Sequence, residues 1–568
     1  MNTLVRVKSE LLTRLQNLFD LDASLMSGLE VMRENLDKDS TFGDFSCNGA
    51  LVLAKLLKQN PKVLAQQIQE NFEKLTLDNI GPVFASVTVA NPGFVNMMLT
   101  SKVWQIIAQE LFTQKEAYFK RNETERKLRY LIEFVSGNPT GPLHLGAGRN
   151  GIIGDVLARV SRFVGHDVHT EYYVNDAGNQ VLKLGESFFV RCKQELGLDA
   201  ILPEDGYVGD YLIELAKICV AEHGKSLLEK DISFFIEYAI EHMLVMIKTD
   251  LQSYGITFDD WVSEKKLHEN GSVAQAIELL AQKDLVYEKD SALWFKATQF
   301  GDEKDRVIKK STGEMTYVAG DIAYHKDKFD RGYDKIIDIL GQDHHGYIKR
   351  LKSTMEALGF DAQKLDVIMY QLVSIKDNGE LVKMSKRAGT FTSLHDIIET
   401  VGSDVARFFY LNRKAEAHLE FDLAVALKKT QENPVYYIQY AYVRTHSLFE
   451  KASEFDALKK YVVQLKTGKI QDLEKIVENF GSEEVAVLRK IVALHDLLRV
   501  IVSTYQTHLI AYYSWELAHT FHTFYTNNRV LDEKNIPATQ ARLLLVALVH
   551  NTLDICLNLL GVSCPEKM

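Results

Sequence analysis

The sequence predicts an α/β protein in three parts: a small α+β domain, a Rossmann-like domain with a parallel sheet and a helical insertion, and an all-α bundle. Two apolar, β-branched runs, beginning at Tyr130 and at His169, enclose apolar residues at helical spacing, which is the pattern of a β-α-β unit. From Asp404 onward, apolar residues recur at helical spacing almost to the last residue. These two patterns predict a parallel sheet followed by a helical bundle.

Length and composition indicate a multidomain globular protein. At 568 residues, with 46% hydrophobic and 25% charged side chains, the chain should divide into three or four domains. The net charge of -11 argues against non-specific nucleic-acid binding, although it allows a local basic track. The five cysteines form no C-x-x-C pair, which favours reduced, buried thiols. We find no targeting segment and no run of 18 apolar residues, and therefore expect a cytoplasmic protein that does not span a membrane.

The expected domains cover residues 1–112, 113–428 and 429–568, with the insertion at about 185–300. In the first domain, Phe84–Ala90 and Phe94–Leu99 flank the turn Asn91-Pro92-Gly93 and predict a β-hairpin. Helical spacing precedes the hairpin, including a helix that opens at Pro61.

A loop dense in glycine and proline follows the first strand, from Ser136 to Gly151. Its residues allow backbone N–H groups to face a phosphate at the positive end of the next helix, where the apolar spacing resumes at Ile152. Two interpretations stay open. Gly146, Gly148 and Gly151 spell G-x-G-x-x-G, and with Glu171 about 20 residues later they match a dinucleotide-binding fingerprint. Alternatively, His144 at the mouth of the loop is a donor that suits the α-phosphate of ATP.

The middle of the chain supplies further strand ends at which a ligand can bind. The runs Lys335–Leu340 and Val367–Val373 predict buried strands, and a helix opens at Tyr317 with Asp321 near its start. The first of these strands ends at Asp343, His344 and His345, but adjacent side chains do not easily converge on one metal ion. We therefore expect no metal held by the protein.

A basic segment, Lys383-Met384-Ser385-Lys386-Arg387, follows the last predicted strand. Such runs are usually solvated surfaces or nucleic-acid patches. Three cations beside a serine just past a strand end also suit the grip on a triphosphate as charge moves onto pyrophosphate.

The stretch from Asn138 to Gly146 and the segment 383–387 resemble the two signatures of class I aminoacyl-tRNA synthetases. The residues in and around these two stretches are similar to those of the bacterial arginyl-tRNA synthetase family. The segments Gly43-Asp44-Phe45 and Asn91–Phe94 and the closing residues of the chain also resemble this family. The resemblance covers nearly the whole chain. It implies that arginine and ATP form arginyl-adenylate and pyrophosphate, and that the arginyl group is then transferred to tRNA(Arg) with release of AMP.

The resemblance also implies partners and domain roles. ATP would carry its own Mg²⁺, the first step would generally require bound tRNA, and we expect a monomer. The first domain would contact the outer corner of the tRNA, or serve only as a structural cap, and the helical bundle would bind the anticodon.

The resemblance assigns roles to individual residues. It implies catalytic roles for His144, Lys383, Ser385 and Lys386. The implied ATP site comprises Asn138, Pro139, Thr140, Gly141, Pro142, Leu143, His144, Leu145, Gly146, Ala147, Asp343 and Met384. The implied arginine site comprises Glu133, Ser136, Asn138, Tyr317, Asp321 and His344. An acid such as Asp321 could bind the planar guanidinium end-on, and a lysine substrate would leave acceptors unpaired.

Aromatic residues recur at helical spacing near the end of the chain, at Tyr512, Tyr513, Trp515, Phe521, Phe524 and Tyr525. Such a stripe is more often packed in a core than used to stack bases. The polar residues that interrupt it favour Tyr525, Asn528 and Arg529 as the tRNA contacts.

The chain departs from the family pattern at one place. The first signature usually reads His-x-Gly-His, but its fourth position here is Ala147. This loss of a donor leaves open a non-catalytic tRNA-binding relative, besides the NAD(P)-dependent oxidoreductase suggested by the glycine motif.

Overall fold

The computed structural model describes residues 2–22, 32–34, 42–123, 125–344, 346–382 and 393–568. The N-terminal region is an antiparallel sheet of order β1-β2-β6-β5 with helices packed on it. Its elements are α1 (Thr3–Leu18), β1 (Met32–Glu34), β2 (Phe45–Cys47), α2 (Gly49–Leu57), α3 (Pro61–Phe72), β3 (Thr76–Leu77), β4 (Gly81–Pro82), β5 (Phe84–Ala90), β6 (Phe94–Leu99) and α4 (Ser101–Gln114). The predicted hairpin is confirmed as the β5–β6 pair.

A five-stranded, all-parallel sheet forms the centre of the molecule, in the order β14-β13-β7-β8-β9. This region contains β7 (Arg129–Glu133), α5 (Leu145–Val164), β8 (Asp167–Val174), α6 (Asn179–Glu195), α7 (Asp210–His223), α8 (Ile232–Ser253), β9 (Asp260–Ser263), α9 (Glu264–Glu269), α10 (Ser272–Gln282), β10 (Val286–Lys289), β11 (Ala292–Phe295), β12 (Arg306–Lys309), α11 (Tyr317–Asp330), β13 (Lys335–Gly341), α12 (Tyr347–Leu358) and β14 (Leu365–Tyr370). The predicted parallel sheet is confirmed.

Two expectations for this region need correction. Helix α5 begins at Leu145 rather than near Ile152, so the three glycines of the motif lie inside the helix. The helical insertion is interrupted after Ser253, where the short strand β9 joins the parallel sheet beside β8, and helices α9 and α10 and a three-stranded antiparallel sheet then follow. A four-residue edge strand is too short to show a period in the sequence.

After β14 the chain forms a small sheet of order β16-β15-β17 before it enters the bundle. Its elements are β15 (Val373–Asp377), β16 (Glu380–Leu381), α13 (Leu394–Val401), α14 (Ser403–Tyr410), β17 (Leu419–Asp422) and α15 (Leu423–Ala426). The expectation of unbroken helix from Asp404 is wrong at β17, which pairs parallel with β15. The predicted strand 367–373 likewise ends at Tyr370, and β15 starts a new sheet.

The bundle is formed by α16 (Pro434–Glu454), α17 (Asp456–Thr467), α18 (Leu473–Val477), α19 (Ser482–Thr504), α20 (His508–Asn527) and α21 (Ile536–Leu560). Asn433 caps α16 by accepting a hydrogen bond from the N–H of Val435, with Pro434 in the first turn. In the described part of the chain, α21 alone is long and apolar enough to cross a membrane, and 78% of its apolar window is buried. That burial is typical of the core helix of a bundle.

Candidate active site at the switch point of the parallel sheet

The parallel sheet has a crevice where the direction of its connections reverses. The chain goes from β7 through α5 to β8 on one side, whereas β13 lies on the other side of β7. Ligands of open α/β sheets bind outside the carboxyl ends of the strands at such a point. Helix α5 starts there, with His144 as its exposed N-cap residue.

The loop between β7 and α5 is held by hydrogen bonds along its length. Val135 and Ser136 adopt left-handed conformations, with φ of 67° and 44°. The N–H of Val135 donates to Asn150 Oδ1 (2.9 Å). Hydroxyls of Tyr172 and Tyr211 donate to the carbonyls of Gly137 and Thr140, at 2.8 and 2.7 Å. The predicted ATP-site residues 138–147 are therefore placed at the crevice in one defined conformation.

The far segment returns to this loop. Ser393 forms an antiparallel bridge with His144, and the N–H of Leu394 donates to the carbonyl of Leu143 at 2.8 Å. The hydroxyl of Tyr254 donates to the carbonyl of Leu394 at 2.9 Å, which fixes the start of α13 from the insertion side. The predicted residues Lys383, Met384, Ser385 and Lys386 lie outside the described residues.

The glycine motif does not form a dinucleotide cradle. A Cβ at Gly148 would overlap the side chain of Leu394, so this glycine serves helix packing. Only Gly146 faces open space, with Tyr370 atoms 3.8 Å from where its Cβ would be. Glu171, which would bind a ribose, is fully buried in β8, where both its oxygens accept hydrogen bonds from Arg331. The oxidoreductase interpretation is not supported.

A buried ionic network lies under the crevice. Lys328 Nζ bridges the carboxylates of Glu133 and Asp338, the latter at 2.7 Å. Burial lowers the pKa of Lys328, but the two carboxylates more than offset this and raise the pKa overall. Ser136 Oγ donates to Glu133 Oε1 at 2.7 Å. Glu133, one of the predicted arginine-site residues, therefore already has its charge balanced by Lys328. Its carboxylate also holds Ser136 in its left-handed conformation.

Asp321 lies beside a second carboxylate that the sequence analysis missed, Glu264. Burial, together with Asp321 and Asp176, raises the pKa of Glu264 to about 7. Burial, together with Glu133, raises the pKa of Asp321 to about 6, although the charges of His325 and Arg350 oppose this shift. A hydrogen bond from Tyr347 partly counteracts the shift at Asp321. Glu264 Oε1 lies 4.0 Å from His268 Nε2, and among the described residues no lysine or arginine forms an ion pair with either carboxylate. The two carboxylates can therefore accept a cation.

The other predicted residues of the arginine and ATP sites differ in their exposure and in their partners. Tyr317, at the start of α11, is 69% exposed. Asn138 donates from Nδ2 to Gln180 Oε1 at 2.6 Å, and Asp343 is exposed at the end of β13. No sequence signal marked Glu264, because it follows the short strand β9 that the periodicity did not reveal.

Two groups of side chains have the spacing of metal ligands, but protein cations already lie within them. Glu133, His325 and Asp338 surround Lys328 Nζ. In the second group, His169, Glu171 and Asp260, the central carboxylate is bound by Arg331. Neither group in the described residues fits a metal ion, since a cation would have to displace an ammonium or a guanidinium.

The bundle presents an aromatic and basic surface between α16 and α20, which we call the α16–α20 face. Arg444 lies over the rings of Tyr440 and Tyr525, at 4.7 and 4.4 Å, and its Nη1 donates to His522 Nδ1 at 2.9 Å. Trp515, 40% exposed, stacks on His519 with ring centroids 5.3 Å apart. Bases stack on exposed rings and guanidinium planes of this kind.

The aromatic stripe of α20 divides between the core and this face. Tyr513, Phe521 and Phe524 are buried, as expected of a core, whereas Trp515 is exposed and Tyr525 is partly buried. Asn528 and Arg529 follow the helix and bond to the backbone of their own region. The sequence analysis missed Tyr440 and Arg444 on α16, because only the fold brings them beside α20.

Comparison with known protein families matches three successive parts of the chain. An arginyl tRNA synthetase N terminal domain matches residues 7–99, a catalytic domain of tRNA synthetases class I (R) matches residues 107–199 and 225–417, and a DALR anticodon binding domain matches residues 438–568.

Individual relatives match along the whole chain. The arginine–tRNA ligase of Citrifermentans bemidjiense is 39% identical over 559 residues, covering 96% of this chain and 97% of the relative. That of Oleidesulfovibrio alaskensis is 41% identical over 535 residues, covering 94% of each. The solved arginyl-tRNA synthetase of Thermus thermophilus, 18% identical, superposes with a TM-score of 0.71 over 99% of this chain and all of that one, which shows the shared fold.

Proposed function

Because the chain belongs to the arginyl-tRNA synthetase family and ligates arginine to tRNA, we propose that ATP binds at the amino end of α5 and arginine between Asp321 and Glu264. The proposal rests on one observation: two adjacent carboxylates with raised pKa and no ion pair to a described lysine or arginine. A guanidinium presents a planar fork of N–H donors. On binding, it would favour the ionised form of both carboxylates and pair with them. Tyr317, Ser136, Asn138 and His344 complete the proposed arginine site.

The first reaction needs positioning and neutralisation of charge rather than a base. A carboxylate oxygen of arginine forms a bond to the α-phosphorus of ATP, the bond to the β-phosphate oxygen breaks, and pyrophosphate leaves. Exposed His144 and the first amides of α5 face the crevice, where they would donate to the α-phosphate. The remaining residues of 138–147, with Asp343 and Met384, shape the proposed nucleotide site.

Lys383, Ser385 and Lys386 are proposed to grip the departing pyrophosphate. Lys386 precedes Ser393 by seven residues, and an extended chain covers at most about 3.6 Å per residue, roughly 25 Å in all. Since Ser393 is bridged to His144, the lysine is within reach of the same triphosphate. The class uses ATP, and we propose that its Mg²⁺ arrives on the phosphates, because both acidic groups with metal-like spacing hold protein cations.

In the second reaction a hydroxyl of the terminal tRNA ribose attacks the carbonyl carbon of the adenylate, and AMP leaves. We propose that the α16–α20 face contacts the anticodon, with Tyr525 joined by Asn528 and Arg529. The proposed domains are 1–112 for the tRNA corner, 113–428 for catalysis and 429–568 for the anticodon, in a cytoplasmic monomer.

Arginine-dependent exchange of pyrophosphate into ATP, with and without tRNA(Arg), tests the proposal. We expect exchange that requires arginine and is stimulated by the tRNA, and no exchange when lysine replaces arginine. Binding of tRNA without exchange would contradict the proposed sites.

A further inference from the structure

The side chain of Tyr370 lies beside Gly146, in the first turn of α5. Tyr370 ends β14, and a Cβ built on Gly146 would lie 3.8 Å from both its Cε2 and its hydroxyl oxygen. The same oxygen would lie 3.7 Å from a Cβ on Gly341, at the end of β13. The hydroxyl is therefore directed across the strand ends towards the first turn of α5.

The hydroxyl of Tyr370 is directed towards a helix turn in which one side chain, Ala147, cannot donate a hydrogen bond. Ala147 follows Gly146 in the first turn of α5, and its methyl group cannot donate a hydrogen bond. Donors near the first turn are the backbone N–H groups of α5 and the side chain of His144. A hydroxyl reaching this turn from β14 adds a side-chain donor that the helix itself lacks.

The surroundings of the hydroxyl orient it without using its proton. A polar neighbour is the side chain of Asn150, which favours the charged form of the phenol and so acts as a donor towards the phenolic oxygen. Asn150 Oδ1 accepts from the N–H of Val135, and its amino group donates one N–H to the carbonyl of Ile339 at 3.0 Å, so the second N–H is what it can offer to Tyr370. The phenolic oxygen therefore accepts, and the O–H proton remains available. Burial raises the pKa of Tyr370, which keeps this proton bound at neutral pH.

We propose that the hydroxyl of Tyr370 donates a hydrogen bond to the α-phosphate of ATP and supplies the contact that Ala147 does not. The proposal rests on the ATP site proposed above. As the carboxylate of arginine attacks, negative charge grows on the phosphoryl oxygens, and a donor placed there beforehand stabilises that charge. Tyr370 is then a catalytic residue contributed by β14.

The test is a double-mutant cycle of Tyr370→Phe and Ala147→His, followed by tRNA-stimulated exchange. In the natural chain, Tyr370→Phe should lower kcat at least about tenfold and leave the KM for arginine unchanged. In the Ala147→His chain, Tyr370→Phe should lower kcat by less than about threefold, because the imidazole supplies the donor. Tyr410→Phe is the matched control, because its buried hydroxyl near Gly148 has no partner among the described groups; exchange should not change.

Three outcomes would overturn the proposal. The first is exchange by Tyr370→Phe at the natural rate. The second is an equal loss of kcat in the natural chain and in the Ala147→His chain. The third is an increase in the KM for ATP alone, which would place the hydroxyl at the adenosine. Should Ala147→His fail to fold, as judged by its thermal transition, the kcat of Tyr370→Phe alone decides. Absence of exchange in the natural chain would refute the proposed function and not this residue assignment.

Discussion

At the scale of single residues, Asp321 and Glu264 are the side chains that we propose to bind the guanidinium of arginine. Each would form a charged hydrogen-bonded pair with the guanidinium, worth about 1.5–3 kcal/mol. Asp321→Asn and Glu264→Gln are therefore each expected to raise the KM for arginine roughly 10- to 100-fold, with the KM for ATP unchanged. Steady-state pyrophosphate exchange measures both constants. An unchanged arginine KM in either variant would remove that residue from the pocket.

The same pair makes the stability of the free protein depend on pH. Their pKa values, about 6 and about 7, exceed the unfolded values of 3.8 and 4.5. The folded protein thus binds more protons between pH 4 and pH 7, and the free energy of unfolding falls as pH rises through this window. The Tm of the Asp321→Asn, Glu264→Gln double variant minus the Tm of the natural protein should increase from pH 5 to pH 8. A pH-independent difference would contradict this, and saturating arginine should abolish the rise.

At the scale of elements, α5 has one glycine with open space beside it and others that pack closely against neighbouring side chains. A Cβ at Gly154 would overlap the ring of Phe134, whereas one at Gly146 would have no atom within 3.8 Å. Gly154→Ala should cost about 1–3 kcal/mol of stability. Gly146→Ala should keep or raise the Tm, since alanine favours helix by up to about 1 kcal/mol, but should raise the KM for ATP. Thermal unfolding and exchange kinetics distinguish the two variants. An unchanged KM for ATP in Gly146→Ala would show that ATP binds elsewhere.

The segment between β16 and α13 is expected to act in the transition state. Lys383→Ala and Lys386→Ala should each lower the exchange kcat by about 100-fold, the effect of losing about 3 kcal/mol of charge stabilisation. The affinity for tRNA should hardly change, as judged by filter binding. Lys376→Ala is the control, because this lysine pairs with Glu420 across two strands of the same small sheet. Equal losses of exchange and tRNA affinity would refute the assigned role.

At the scale of the whole molecule, Arg407 joins the catalytic sheet to the bundle. Fully buried, it donates to the carbonyls of Leu560 and Tyr254, both at 2.6 Å, and pairs with Asp155 of α5. Arg407→Met would leave Asp155 buried with one cation fewer, and should cost about 3–5 kcal/mol. Arg159→Met removes the partly exposed partner of the same carboxylate and should cost less than about 1 kcal/mol. Thermal unfolding compares them; equal effects would deny Arg407 this role.

Local patterns in the sequence determined the main elements of the fold. Periodicity of apolar residues located β7, β8, β13 and most of the bundle, because burial on one face or both dictates which positions are apolar. The same patterns failed at β9 and β17, which are four residues long and take their conformation from the strands beside them. The helix start at Leu145 was also missed, because glycines that permit close packing resemble loop glycines in a sequence.

The sequence by itself determined the chemistry of the site: a glycine-rich loop with His144, a carboxylate at Asp321 and a basic segment after a strand. Only the tertiary structure decided which of these groups meet. It joined Ser393 to His144 across about 250 residues, added Glu264 to Asp321, buried Glu171 under Arg331 and brought Tyr370 to the turn that contains Ala147. The reason is physical: periodicity records whether a residue is buried, whereas its neighbours depend on strand order and helix packing, which no local pattern encodes.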